Sequence, residues 1–272
     1  MPLPPIQDTS TCLVTGASSG IGAEIARQLA ARRRGVTLVA RREDRLKALA
    51  DELAATGVRA EVLACDVSDA GARAELPDRI EDLGLTVDVL VNNAGLTTMG
   101  PVHRSHRDQE LTLVRTDVEA VVDLCCLFVP PMATRRRGAV LNTASTAAFQ
   151  PLPGQAAYGG AKAFVLSYSQ AIRAELSGVG VSVTVLCPGP VETGFAETAG
   201  MTDAEASQAL PKFMWVPAAG VAAAAVEGLE QGKAVVIPGM VNRFTAHLAH
   251  HAPRALVTSV VARQHPALKD GA

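Results

Sequence analysis

Tyr158 and Lys162 stand four residues apart in a stretch of helical period. That spacing sets them about 40° apart on one helix face, close enough for the two side chains to meet. A phenol of pKa about 10 is a poor proton carrier at neutral pH, but a neighbouring ammonium favours phenolate and lowers that value toward a useful range. The expected chemistry is proton transfer at Tyr158, tuned by Lys162. Ser145 ends the apolar run AVLNTAS. The carboxyl end of a strand is where open parallel sheets place ligands, and a hydroxyl there can hold a carbonyl oxygen while hydride arrives. Taken singly, each residue has a plainer reading: Ser145 could terminate a strand, Tyr158 could be half-buried and Lys162 could be solvated.

A second group of residues suits an anion. TGASSGIG, Thr15 to Gly22, lies between a predicted strand and a predicted helix. Gly16 can make the tight exit from the strand, Gly20 leaves room for a pyrophosphate against the backbone, and Gly22 lets the helix approach the sheet. Gly16, Ser18, Ser19, Gly20, Ile21 and Gly22 are therefore candidate cofactor contacts. The spacing G-x3-G-x-G differs from the usual dinucleotide fingerprint, so an ordinary strand-to-helix turn stays open. At the end of the second strand, where a free ribose 2'-hydroxyl would want an acidic acceptor, the chain has Ala40, Arg41 and Arg42. Two cations there suit a 2'-phosphate and favour NADP over NAD; a surface Arg pair opening an exposed helix is the alternative.

The elements that must position these groups alternate along the chain. Strand-length runs are Thr11–Thr15, Val36–Ala40, Ala60–Val67, Val87–Val91, Ala139–Ser145, Val181–Gly189 and Ala234–Gly239. Helical periods fall at Ile21–Arg33, Arg42–Ala55, Glu110–Ala133, Gln155–Ser177 and Ala218–Glu230. Such alternation predicts a doubly wound α/β protein with a parallel seven-stranded sheet covered on both faces, a Rossmann fold. The runs Arg32–Gly35 and Arg135–Gly138 read as helix ends, with cations against the negative end of the dipole and glycine closing the turn, rather than as anion sites.

Composition narrows the function classes. With 272 residues, 48% of them hydrophobic and 19% charged, the chain can bury a large core and is too apolar for disorder. A formal charge of -2 offers no positive field for nucleic-acid phosphates, and 3% aromatic residues leave few platforms for stacked bases. The odd set Cys12, Cys65, Cys125, Cys126 and Cys187, without a C-x-x-C pair, reads as buried, reduced thiols. The first residues show no secretory pattern and no run is long enough to span a bilayer, so the expected location is cytoplasmic.

TGASSGIG, NNAG at Asn92 to Gly95, Ser145, Tyr158-Gly-Gly-Ala-Lys162 and Pro188-Gly189 match, in order and spacing, the short-chain dehydrogenase/reductase family. The chain resembles its compact single-domain branch over about residues 10 to 240. The resemblance implies an NADP(H)-dependent oxidoreductase in which Ser145 polarises a carbonyl, Tyr158 transfers the proton, and Lys162 tunes Tyr158 and holds the nicotinamide ribose. It further implies that Asp66 and Val67 contact the adenine, that Asn92, Asn93, Ala94 and Gly95 line the cofactor at the fourth strand's exit, and that Pro188, Gly189, Val191 and Thr193 fix the nicotinamide. Many members carry an Asn on the long helix before the fifth strand, relaying protons to the lysine through water; here that position is Asp117, and retained but altered activity is expected.

Residues 1–240 are expected to form the dinucleotide-binding and catalytic domain, with a substrate lid at 194–217, and residues 241–272 a helical C-terminal extension. Phe195, Met201, Leu210, Phe213, Met214 and Trp215 could favour a hydrophobic ketone or aldehyde, or could simply hold the lid on its own domain. Ala148, Phe149, Leu152 and Gln155 are candidates for the opposite wall. The tail should form two short helices split by Pro253. His247, His250 and His251 have no carboxylate or Cys beside them, so a polar helix face is expected and no metal. The apolar helices around Val121 and Phe164 resemble the family's intersubunit bundle, implying a homodimer or homotetramer. Reduction of a 3-oxoacyl thioester and a non-catalytic nucleotide-binding regulator are the competing readings; the glycine spacing disfavours a nucleotide-sugar epimerase.

Overall fold

A computed structural model describes residues 3–192 and 212–264 together with Leu268. Strands β1 (Ser10–Thr15), β2 (Val36–Ala40), β3 (Ala60–Ala64), β4 (Thr86–Asn92), β5 (Gly138–Thr143), β6 (Val181–Leu186) and β9 (Val235–Val236) form one sheet in the order β3-β2-β1-β4-β5-β6-β9. All its pairings are parallel. β5 and β6 are buried along their whole length, as central strands covered on both faces must be, so even Asn142, Ser182 and Thr184, which interrupt their apolar residues, are enclosed. The chain winds outward from β1 in both directions, so the carboxyl ends of β1 and β4 border the crevice where such sheets bind ligands.

Helices α1 (Gly20–Ala31), α2 (Glu43–Ala54) and α8 (Ala218–Glu230) cover one face through Ile25, Leu29, Leu46, Leu49, Val221 and Leu229. The other face is covered by α4 (Leu76–Asp82), α6 (Ala120–Thr134) and α7 (Ala156–Glu175), with Leu76, Ile80, Leu124, Phe128, Met132 and Ile172 in its core. Four strands end earlier than their apolar runs suggest: β3 stops at Ala64, β5 at Thr143, β6 at Leu186, and β9 holds only Val235 and Val236.

The short helix α3 (Ala70–Ala74) and α4 were not expected from periodicity. The inward group of α3 is a cation. Arg73 is 1% exposed, bonds Glu119 and Asp123 at 2.5 Å each, and donates to the Val67 carbonyl at 2.7 Å. A guanidinium as a core residue leaves no hydrophobic stripe for a sequence reading to find. Because both carboxylates keep contact with water, replacing Arg73 by Met should cost only about 2–3 kcal/mol. A thermal melt or urea titration checks this, and an unchanged midpoint would refute it.

The predicted long helix is present as α5 (Arg107–Val114) and α6, joined by a π-helical turn at Arg115–Glu119. The wider turn inserts into an otherwise continuous α-helical path, and Asp117 lies in it, fully buried. Both Arg runs do close helices, but the left-handed residues are Arg33 (φ 61°) and Arg136 (φ 52°), not the glycines that follow. The guanidiniums stabilise this by reaching specific partners. Arg33 bonds the Thr56 carbonyl, Arg136 the Gly178 carbonyl, and Arg137 pairs with Asp88.

After the last sheet strand come α9 (Met240–His251) and α10 (Arg254–Gln264), separated at Pro253. Strands β7 (Val191–Glu192) and β8 (Val216–Pro217) pair with each other on either side of residues 193–211. Most of the expected lid, with Phe195, Met201 and Leu210, lies outside the described residues, as does Thr193. Among the described residues no helix is long and apolar enough to cross a membrane, and no group of His, Cys, Asp or Glu side chains could hold a metal ion.

Candidate active site

The glycine-rich turn leaves β1 with Gly16 at φ 67° and enters α1 with Gly20 at φ 56°, both in the left-handed region that a side chain resists. Gly22 is required by space. A Cβ there would collide with the Gly16 carbonyl oxygen and lie 2.5 Å from Asn93 Nδ2. The turn is tied to the fourth strand's exit by Thr15, whose Oγ1 accepts from the backbone N–H of Asn93 (2.9 Å) and Ala94 (3.1 Å). Asn93 Nδ2 in turn donates to the Thr15 carbonyl. NNAG is thus a braced wall of the cradle rather than a free turn.

Asn92, expected beside the cofactor, faces elsewhere. It is 2% exposed and donates to Asn142 Oδ1 at 2.9 Å, while Asn142 donates to Ser169 Oγ. Adjacent residues of a strand point to opposite faces, so with Asn93 toward Thr15, Asn92 is turned into the interior.

At the end of β2 the two cations divide. Arg42 donates to Ser18 Oγ (2.9 Å) and Ser19 Oγ (2.8 Å), which holds its guanidinium over the entrance to α1. Arg41 is 63% exposed and lies 4.0 Å from Asp66 Oδ2, whose other oxygen accepts from the Ser68 N–H and hydroxyl. Val67 is buried, leaving Asp66 as the accessible member of that pair. The first turn of α1 carries no acidic residue and its N–H groups open toward the cradle. Two left-handed glycines, a helix N-terminus and two guanidiniums fit the phosphates of a nucleotide cofactor.

Ser145, Tyr158 and Lys162 converge at the carboxyl end of β5. Ser145 is 8% exposed and starts the 3-10 turn Thr146–Phe149 by accepting from the Ala147 N–H at 3.1 Å. Its hydroxyl also lies close enough to the phenol of half-buried Tyr158 to favour the phenolate. Lys162 is 4% exposed, with Nζ 5.7 Å from the Tyr158 ring centroid, so the helical spacing does bring amine and phenol together. That amine donates to the Thr143 carbonyl at 3.1 Å and lies 3.0 Å from Asp117 Oδ2. Asp117 Oδ1 accepts from the Leu96 N–H at 2.7 Å, and a Cβ on Gly95 would come within 3.2 Å of Asp117 and 3.3 Å of Lys162. Asp117 therefore sits beside the Tyr158–Lys162 pair, braced by the segment that follows NNAG.

The charge balance differs from the simple expectation of a phenol lowered by its ammonium neighbour. Burial pushes the Tyr158 phenol above its ordinary range; Lys162 and Ser145 pull it down, Asp117 pushes it up, and the net direction is upward. Lys162 explains part of this. Burial opposes its ammonium, yet Asp117 and Tyr158 outweigh burial and raise its pKa, so it stays charged. Asp117 is raised by burial against the pull of Lys162 and the Leu96 N–H. The ammonium's field is shared between a carboxylate and a phenol, and for neither does it offset burial.

Of the residues meant for the substrate side, Phe149 packs edge-on against His250 of α9, with centroids 6.0 Å apart. Gln155 donates to Thr97 Oγ1 and the Thr98 carbonyl, linking the start of α7 to the stretch after NNAG. Pro188 offers its carbonyl to the Thr146 N–H (2.9 Å) and the Ser145 hydroxyl (3.4 Å), so the segment after β6 touches Ser145 directly. Thr15 and Thr143 were not singled out from sequence. Thr15 contributes through its position beneath the glycine turn and Thr143 through a backbone oxygen, and neither leaves a signature in residue type.

Residues 10–204 match the family description of short chain dehydrogenases. A short chain dehydrogenase of Pseudocercospora fijiensis is 38% identical over 186 residues, 67% of this chain but 60% of that protein's own length. Among solved structures, a short-chain dehydrogenase from Sphingobium yanoikuyae in complex with NADPH superposes with TM-score 0.79 at 31% identity, covering 92% of this chain and 95% of that one. A short chain dehydrogenase/reductase from Burkholderia phymatum in complex with NAD reaches TM-score 0.79 at 25% identity, covering 89% and 92%.

Proposed function

Because this chain belongs to the short-chain dehydrogenase/reductase family, we propose that it is an NADP(H)-dependent oxidoreductase acting on a carbonyl/alcohol pair, running toward reduction in the cell. The observation that carries the reading is the meeting of the Ser145 hydroxyl, the Tyr158 phenol and the Lys162 ammonium at the mouth of the glycine cradle. Gly16, Ser18, Ser19, Gly20, Ile21, Gly22, Arg41 and Arg42 would hold the adenosine phosphates, Asp66 the adenine, Asn93, Ala94 and Gly95 the flank, and Lys162, Pro188, Gly189, Val191 and Thr193 the nicotinamide end. The bound nicotinamide supplies or accepts the hydride.

In reduction, Ser145 donates a hydrogen bond to the substrate carbonyl oxygen, favouring the charge that develops there. Tyr158 gives its phenolic proton to that oxygen, and its raised pKa keeps the proton in place until the oxygen becomes basic. Lys162 remains protonated beside Asp117 and stabilises the phenolate left behind. A phenol held protonated at neutral pH suits reduction better than oxidation, which needs the phenolate as base. NADPH consumption with a panel of ketones, aldehydes and a 3-oxoacyl thioester tests the activity, and no turnover on any of them would favour the non-catalytic regulator.

The preference for NADP rests on the guanidiniums beside Ser18, Ser19 and Asp66. A charge-assisted bond to a phosphate is worth about 1.5–3 kcal/mol, so Arg41→Ala or Arg42→Ala should weaken NADPH roughly tenfold or more and leave NADH nearly unchanged. Fluorescence titration of both coenzymes measures this, and equal losses refute the assignment. The five thiols are free, four of them buried and Cys126, against expectation, exposed; this supports the proposal of a reducing, cytoplasmic location. Phe164, 40% exposed on α7, supports the homodimer or homotetramer reading, whereas Val121, expected to belong to the same bundle, is 4% exposed and packs in the chain's own core. The substrate is proposed to be hydrophobic, with Phe149 and Leu152 on its wall.

A further inference from the structure

The geometry points to Asn242, in the C-terminal extension, as a positioning residue that seats the Pro188–Gly189 segment, and thereby the nicotinamide end of the site and Ser145. The inference rests on the coenzyme reading above. Asn242 lies in the first turn of α9 and is 2% exposed. Its amide donates to the Met214 carbonyl at 3.0 Å and to the Pro238 carbonyl at 3.3 Å. A Cβ added to Gly189 would lie 2.5 Å from Asn242 Cγ, 2.5 Å from Nδ2 and 2.6 Å from Oδ1. Three amide atoms at nearly one distance mean that the flat face of the amide lies against the bare Cα of Gly189.

Three separate stretches therefore meet on one side chain: the exit of β6, the chain just before β8, and the last sheet strand's turn into α9. Each stretch has its own link to the site. Pro188 bonds Ser145 and Thr146, Val216 donates to the Pro190 carbonyl at 3.0 Å, and Cys187 donates to the Val236 carbonyl at 2.8 Å. Gly239, at φ 85°, turns the chain into α9 directly against the Asn242 amide, where a Cβ would lie 3.2 Å from Nδ2. Asn242 Oδ1 is buried and accepts no hydrogen bond from any described residue, so burial of this amide is not accounted for by its own pairing. Its two donated bonds and its contact with Gly189 are what it contributes. Glycine at 189 and asparagine at 242 form a matched pair in which one residue's missing side chain makes room for the other's amide.

The test is a double-mutant cycle read by NADPH titration, with a thermal melt on each protein. Gly189→Ala should raise the NADPH Kd by about tenfold or more, because its methyl displaces the segment from the amide. Asn242→Ala should raise it by roughly threefold to tenfold through loss of the clamp. The double variant should bind better than Gly189→Ala alone, since truncating the amide at position 242 vacates the space that the added methyl at position 189 needs. Should Gly189→Ala fail to fold, recovery of soluble protein by adding Asn242→Ala supports the pairing, and continued failure of the double variant overturns it. Multiplying Kd effects, or an Asn242→Ala variant with unchanged Kd, likewise overturn it while leaving the coenzyme site standing. A native protein that binds neither NADPH nor NADH removes the coenzyme reading and this inference together.

Discussion

Tyr158→Phe should abolish turnover, lowering kcat by about a thousandfold or more, while coenzyme affinity changes little. General acid catalysis contributes roughly 10²–10⁴-fold, and Tyr158 is the ionisable hydroxyl placed beside Ser145. Lys162 cannot take over: Asp117 and the Thr143 carbonyl hold it 5.7 Å from the phenol's ring centre. The aromatic ring itself is kept by Phe, so the wall of the coenzyme site is preserved. Comparing turnover of the two proteins on whichever carbonyl compound the panel identifies, with NADPH titrated in parallel, gives the answer. A variant retaining a tenth of the native rate would mean that Tyr158 is not the proton donor.

Asp117→Asn should change both the pH profile and the stability. Asn keeps an acceptor for the Leu96 N–H and nearly the same volume, but removes the charge that pairs with Lys162 and pushes the Tyr158 phenol upward. The phenol's pKa therefore falls in the variant. Alcohol oxidation, which needs phenolate, gains its rising limb at lower pH and should run about tenfold faster at pH 7. The same substitution leaves Lys162 buried beside a dipole instead of a carboxylate, at a cost of about 2–4 kcal/mol. In the native protein the raised pKa of Lys162 makes its stabilising contribution complete below the ordinary lysine value, to be lost only as pH rises through the folded value. Rate profiles in the oxidative direction that coincide for native and variant would take Asp117 out of the proton-transfer system.

Both predictions depend on charges that a sequence cannot apportion. Tyr158, Lys162 and Ser145 could be identified because a four-residue spacing in a helix and a strand's carboxyl end are local geometry. The sign of the phenol's shift could not, because it follows from burial and from Asp117, which is brought in by a π-helical turn forty-one residues before Tyr158 in sequence. The wider turn has no signature in LVRTDVEAVV that separates it from ordinary helix. Asn92 and Asn93 give the converse case: two identical residues in one motif, of which the strand's alternation sends one to the cradle and one to the interior.

Hydrophobic pattern determined the alternation of strands and helices, the parallel sheet and the place of the glycine turn, because burying a sheet on both faces demands strands rich in apolar residues and helices with one greasy side. Tertiary structure decided everything that joins residues distant along the chain. Arg73 became a core residue, Arg42 settled over Ser18 and Ser19, Asp117 came to share the charge of Lys162, and Asn242 came to rest on Gly189. Hydrogen bonds and ion pairs act over a few ångströms in space, and pairs such as these carry no periodic mark in sequence that would announce which partners the fold will bring within that range.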